Sequence, residues 1–271
     1  MQIEHRANSA VGAALRRRYT LMMLALLAIS GCSLSSAAPV TKVVASHWDY
    51  GAEGPEHWAE LDSSYRVCRS GHAQSPIDLP SRAMLDPADR IGIEYGPIPS
   101  VELVNTGHTV QANPPAGTGN RILVDGMPFE LVQFHFHLPG EHTVDGVGAT
   151  MELHLVHRNA AGALAVLGVP MRQAPGPSAF APMLANAPGK PGAKVTTGPI
   201  DPRTFLPADT GQFRYVGSLT TPPCSEGVRW IVLRHPVAVT PEEAGRYLTL
   251  FPHSNRPTQP LNGRVVAVSG S

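Results

Sequence analysis

The sequence carries no excess of either charge: 21 basic and 21 acidic residues balance over 271 positions. A balanced chain has no single-signed field with which to gather nucleic acid, so that class of partner is set aside. Long apolar runs are missing too. The longest, from Leu21 to Ile29, is too short to cross a bilayer. No internal repeat occurs, and no second linker follows Trp48, which argues against two domains. Helix signals are scarce. The best is Thr240-Pro241-Glu242-Glu243, a cap followed by an N1 proline and an acidic first turn. Glycine and proline are plentiful instead, 26 and 27 residues. That level lies below disordered compositions and suits a loop-rich β fold.

The N-terminus reads as an export signal. Arg16-Arg17-Arg18 precede the run Leu21 to Ile29, which has the length of a signal-peptide core. Ile29-Ser30-Gly31-Cys32 resembles a bacterial lipobox, whose cysteine is lipidated after cleavage. Ordinary cleavage near Ala37 or Ala38 is the alternative, and the arginine cluster faintly resembles a twin-arginine signal. Either route leads out of the cytoplasm, to the periplasm. Residues 1–32 are thus expected to be the signal, 33–46 a small-residue tether, and 47–268 the folded domain. Removing 1–32 takes away Arg6, Arg16, Arg17, Arg18 and Glu4, leaving a net charge of about −3. Contact with a membrane is therefore expected only through a lipid on Cys32. With Cys32 so used, Cys68 and Cys224 remain as a pair for an oxidising compartment. Two unpaired buried thiols are the other option.

β-rich runs recur at 101–104, 108–112, 121–124, 128–137, 151–157, 163–170, 213–218, 228–234 and 264–268. Turn clusters such as Gly117-Thr118-Gly119-Asn120 and Asp125-Gly126 separate them. The stretch 172–203, rich in Pro, Gly and Ala, reads as a long surface loop. One mostly β domain with short peripheral helices follows.

Two of these runs hold histidines where a core strand would hold valines. Alternation puts Leu131, Gln133, His135 and His137 on one face of 131–137, and Val132, Phe134 and Phe136 on the other. In 151–157, Glu152, His154 and Val156 share a face opposite Met151, Leu153, Leu155 and His157. His135, His137 and His154 can therefore converge on one point. Gln133 and Glu152 stand two residues before a histidine on the same face, positioned to accept the ring N–H that coordination leaves over. His157 faces away and His142 sits in a turn, so both are assigned to structure. Three neutral imidazoles around a divalent ion with an open fourth position form a catalytic zinc pattern, although spacing alone does not select zinc over cobalt or copper.

At this point the sequence resembles the alpha-class carbonic anhydrases from about residue 47 to 268. The blocks are Trp48-Asp49-Tyr50-Gly51, Gly54-Pro55, Trp58, Gln74-Ser75-Pro76-Ile77, Asn105-Thr106-Gly107-His108 and Gln133-Phe134-His135-Phe136-His137. Ser218-Leu219-Thr220-Thr221-Pro222-Pro223, Arg256-Pro257 and Gln259-Pro260-Leu261-Asn262-Gly263-Arg264 follow in order. The resemblance implies a large, mainly antiparallel twisted sheet with a conical cavity reaching Zn2+. It implies reversible hydration of carbon dioxide to bicarbonate and a proton by zinc-bound hydroxide, with zinc lowering the pKa of water to about 7, a magnitude known for this family. His135, His137 and His154 would be the ligands. Thr220, bonded to Glu141, would orient the nucleophile. Val156, Val166, Leu219, Thr221 and Trp230 would line the substrate pocket, although Trp230 by itself reads as core. His108 would shuttle protons to buffer, with Tyr50 and Gln111 ordering the intervening water. Cys68 and Cys224 match the disulfide of secreted members. Leu138-Pro139 departs from the Trp-Gly usual in animal members.

Two rival readings differ in class. A zinc hydrolase acting on an ester would need a wall altered for a bulky substrate, yet Val156 and Val166 are present. A noncatalytic binding module would lack a ligand, and none is missing. The oligomeric state is left open, a homodimer included.

Overall fold

Period-two alternation of large apolar side chains drives the middle of the chain into strands. The computed structural model describes residues 46–86, 91–176 and 178–269. Its main strands are Val101–Asn105 (β1), Val110–Asn113 (β2), Met127–His137 (β3), Met151–Arg158 (β4), Leu164–Gln173 (β5), Gln212–Ser218 (β6) and Glu226–Leu233 (β7). They join a 13-stranded sheet in the order Lys194–Thr197, β1, β2, β3, β4, β5, β7, β6, Ala267–Ser269, Met84–Leu85. Neighbours along this path are antiparallel apart from β5 with β7 and Ala267–Ser269 with Met84–Leu85. The sheet is therefore mixed but mainly antiparallel, as expected. A separate small sheet joins Asp78–Leu79, Thr143–Val144 and Val147–Gly148.

Each face of the large sheet has its own core. Leu153, Leu155, Phe134, Phe136, Leu167 and Ile231 pack on one side. Val156, Val166, Tyr215, Trp230 and Val232 pack on the other, together with Ile77 and Leu79. Each large apolar side chain so buried contributes about 1.5–3 kcal/mol. Helix Pro241–Leu250 (α1) starts at the expected Thr240 cap, which the structure completes as a capping box: the Thr240 hydroxyl accepts from Glu243 N and the Glu243 carboxylate accepts from Thr240 N.

Strict alternation fails at one point in β3. The pairing runs Val156 with Gln133 but His157 with Leu131, so the register shifts by a residue. Leu131 consequently joins the Phe134 side, and Val132 packs against the Trp230 side. Sequence parity had placed each on the opposite face. A β-bulge lets two consecutive residues oppose one, and period-two counting has no sign of it.

The stretch 172–203 is not a plain loop. β5 runs on to Gln173, Lys194–Thr197 adds an edge strand beside β1, and Phe180, Met183 and Leu184 are buried. Val195-Thr196-Thr197 has strand propensity that the surrounding proline and glycine obscured. The expected strand at 264–268 forms later, as Ala267–Ser269.

The expected signal (1–32), Cys32 and the tether up to residue 45 lie outside the described residues. Among the described residues no helix is long and apolar enough to cross a membrane.

Candidate metal centre

Antiparallel pairing of β3 and β4 brings the histidines together. His135 lies directly across from His154, and His137 across from Glu152. One ring nitrogen from each of His135, His137 and His154 lies within 4.8 Å of the others, close enough to converge on a single ion. The remaining nitrogens are fixed. His135 Nδ1 donates to Gln133 Oε1 at 2.8 Å, His154 Nε2 donates to Glu152 Oε1 at 2.8 Å, and His137 Nδ1 donates to the Ser254 carbonyl. These bonds turn His135 Nε2, His137 Nε2 and His154 Nδ1 toward the shared point. His137 Nε2 is buried without a hydrogen-bond partner. A buried imidazole nitrogen left open in this way is what a metal ligand needs, and the three residues fit a divalent ion.

Burial holds all three imidazoles in the neutral, coordinating form. It pushes His135 well below its ordinary pKa, helped by the neighbouring His137, and brings His137 down to about 4. His154 is lowered by burial and by His137.

Glu152 anchors the arrangement. Its Oε1 accepts from His154 Nε2 and from His142 Nδ1 at 2.7 Å, while Oε2 accepts from Glu141 N at 2.9 Å and His142 N at 2.8 Å. Burial would raise this carboxyl, but the two histidines facing it hold it well below the usual range. The chain continues outward as His142 Nε2 accepts from Tyr215 OH at 2.7 Å and Ser75 Oγ bonds the Tyr215 hydroxyl at 2.8 Å. Gly168 stands across from His154 on β5, where a Cβ would come within 3.1 Å of Glu152 Oε1. The grouping of His142, Glu152 and His154 is thus a closed hydrogen-bonded relay.

Glu141 is also buried. Its Oε1 accepts from Arg256 N at 2.8 Å. Burial pushes its pKa up to about 7, against His154, the Arg256 N–H and the Thr220 hydroxyl, which favour the charged form. Thr220 stands beside this carboxyl without a hydrogen bond of good geometry, and Oε2 has no partner. The Arg256 guanidinium donates to Gln74 Oε1, Ser75 O and Cys68 O, tying the chain before β1 to the loop that carries Ser254.

The other expected residues are distributed as follows. Val156, Val166 and Trp230 pack together, with Leu219 against them, and the Trp230 ring centroid lies 4.8 Å from that of His154. Thr221 is half-buried next to Thr220. Gln111 lies across from His135 on β2 and donates to Asn113 Oδ1 at 2.7 Å. His108 is half-buried, stacked on Trp48 with centroids 3.7 Å apart, and edge-on to Tyr50. Burial lowers its pKa, as does His47, while Asp49 opposes them. Cys68 and Cys224 form a disulfide spanning 156 residues. His157 lies in the opposite core, its Nε2 2.7 Å from Tyr95 OH.

Sequence reasoning passed over four contributors. His142 was assigned to structure but belongs to the Glu152 relay, and Tyr215, Ser254 and Arg256 had no role. The adjacency of Glu141 and His142 was the available signal for the first. Tyr215 and Ser254 act across 73 and 117 residues of chain and nothing local marks them, whereas Arg256 stands in the Arg256-Pro257 block, from which no role was drawn.

A family model described as eukaryotic-type carbonic anhydrase matches residues 53–270. The chain is 46% identical to a carbonic anhydrase of Klebsiella pneumoniae over 237 residues, 85% of this chain and 94% of that protein. It is 38% identical to a carbonic anhydrase of Pectobacterium atrosepticum over 89% of this chain and 96% of that protein. Among solved structures it resembles the alpha-carbonic anhydrase of Thermovibrio ammonificans in complex with sulfanilamide, with a TM-score of 0.76 and 41% identity, covering 82% of this chain and 99% of that one.

Proposed function

The chain belongs to the eukaryotic-type (alpha) carbonic anhydrase family and catalyses that family's reaction, the reversible hydration of carbon dioxide to bicarbonate and a proton; we propose that His135, His137 and His154 hold the zinc on which it depends. The open, buried His137 Nε2, facing nitrogens whose rings are pinned by Gln133, Ser254 O and Glu152, carries this assignment. When bound, zinc supplies a Lewis acid that makes water acidic enough to act as a nucleophile near neutral pH.

Chain residues do the rest. Three neutral imidazoles leave the ion its full charge, and Glu152 keeps the His154 proton on Nε2 so that Nδ1 faces the metal. The Thr220 hydroxyl can donate a hydrogen bond to Glu141 Oε2, the oxygen without another partner. With its hydrogen so directed, Thr220 Oγ1 has only lone pairs left to offer and would accept a hydrogen bond from the O–H of the nucleophile, which fixes the direction of attack. Val156, Val166, Leu219 and Trp230, with Thr221 beside them, form an apolar wall suited to carbon dioxide at the end of a conical approach. His108 takes the released proton to buffer through water ordered by Tyr50 and Gln111.

The internal disulfide and the bacterial relatives suggest a protein outside the cytosol. Export to the periplasm by residues 1–32, with a lipid on Cys32 as anchor, is part of the same proposal. Zinc content measured with stopped-flow hydration tests the centre. The parent should hold one zinc per chain and turn over, whereas His154→Ala should lose both at stoichiometric zinc. Full zinc retention in that variant would remove His154 from the ligand set.

A further inference from the structure

The floor of a second cavity is the far side of the Glu152 relay. About 390 Å3 in volume, it lies between the small sheet and the large one, walled by Val144, Val147, Pro170 and Pro236 over the buried Leu79, Phe213 and Val232. None of the three proposed ligands, and none of the residues proposed to receive carbon dioxide, lines it. Its size falls in the range of small-molecule sites, about 300–1,000 Å3.

The chemistry of floor, wall and mouth selects an occupant. Glu152 and His142 form the floor, but their oxygens and nitrogens are already bonded to one another, to His154, to Tyr215 and to backbone N–H groups. They offer a ligand no open hydrogen bond, and the carboxylate charge is matched by its own donors. A cation therefore finds nothing to recognise. The walls call for an apolar body.

At the mouth the charge is positive. Arg172 lines the cavity and is exposed, and its guanidinium has no hydrogen-bond or ion-pair partner among the described residues. Arg234 and His235 also line the cavity but are engaged elsewhere, His235 with Asp209 at 3.2 Å, so Arg172 is the group that remains for a ligand. A planar carboxylate matches a guanidinium fork in two parallel hydrogen bonds. We propose that this cavity is a second ligand site, separate from the metal centre, for a small monocarboxylate with a compact apolar body such as an aromatic ring, its carboxylate on Arg172.

Benzoate is the probe. Zinc-loaded protein is first saturated with sulfanilamide, so that binding at the metal does not contribute. Titration followed by calorimetry and by methyl NMR should then give one saturable site, with Kd on the order of 1 mM for so small a ligand. The moving methyl groups should be those of Val144 and Val147. Arg172→Glu should weaken binding at least tenfold, Arg172→Lys, which keeps the charge but loses the fork, should weaken it by about three- to tenfold, and uncharged benzamide should bind at least tenfold more weakly than benzoate. The proposal is overturned by absence of saturation at tens of millimolar, by an unchanged Kd in Arg172→Glu, or by shifts confined to the methyl groups of Val156 and Val166.

Discussion

Replacing Glu152 by glutamine changes one oxygen to an NH2 group and almost nothing in volume, yet it should be among the most damaging conservative changes in the molecule. The carboxylate accepts four hydrogen bonds, two ring N–H groups on Oε1 and two backbone N–H groups on Oε2. An amide has one accepting end. Whichever way it is turned, two buried donors face an NH2 group and lose their acceptor. An unsatisfied buried donor costs about 1–3 kcal/mol, so Glu152→Gln should lose roughly 2–6 kcal/mol of stability. The alternative is a change of tautomer, in which His154 Nε2 accepts from the new NH2 group. That moves the ring proton to Nδ1, the atom that faces the other two ligands, and blocks coordination. Denaturant unfolding of the metal-free variant and zinc competition against a chelator read the two effects separately. Zinc affinity should fall about 10- to 100-fold, the usual effect of losing a partner behind a metal ligand. A variant within 0.5 kcal/mol of the parent and within threefold in zinc affinity, both rough thresholds set by the precision of such mutational comparisons, would refute the reasoning.

Other expectations follow from the same geometry. His108→Ala should slow turnover in dilute buffer, with added imidazole restoring the rate, and an undiminished rate in dilute buffer would reassign the shuttle. Cys68→Ser with Cys224→Ser removes a crosslink spanning 156 residues, so unfolding free energy should drop by up to about 5 kcal/mol on the chain-entropy model; unchanged denaturation midpoints would contradict it. His157 has its pKa lowered to about 3 by burial, so the native state excludes a proton that the unfolded state binds below about pH 6.5. Stability should therefore fall as pH drops from 6.5 towards 3, by up to about 5 kcal/mol from this group. A His157→Gln variant should show a shallower slope over that window, and an identical slope would exclude His157 as its source.

Local pattern made much of this protein readable. Alternation in 131–137 and 151–157 placed His135, His137 and His154 on one face, and the structure brings them together. The cap at Thr240 and most strand cores also fell where periodicity put them, because those signals act within a few residues and need no partner to be specified. The motif blocks, taken in order, mark the family by sequence alone.

Long-range packing decided the rest. The bulge at Leu131–Gln133 exists because β4 pairs with β3 in a shifted register, and neither strand's own sequence encodes the shift. Ser254 reaches His137 only because a loop 117 residues away returns to the sheet, and the same return puts Arg256 N on Glu141. His142 read as a turn residue until Glu152 and Tyr215 closed on its two nitrogens. A side chain's type and spacing fix which face it can occupy and what it can bond; which polar groups it meets there depends on how distant segments fold back to bury it, and burial is what makes those bonds obligatory.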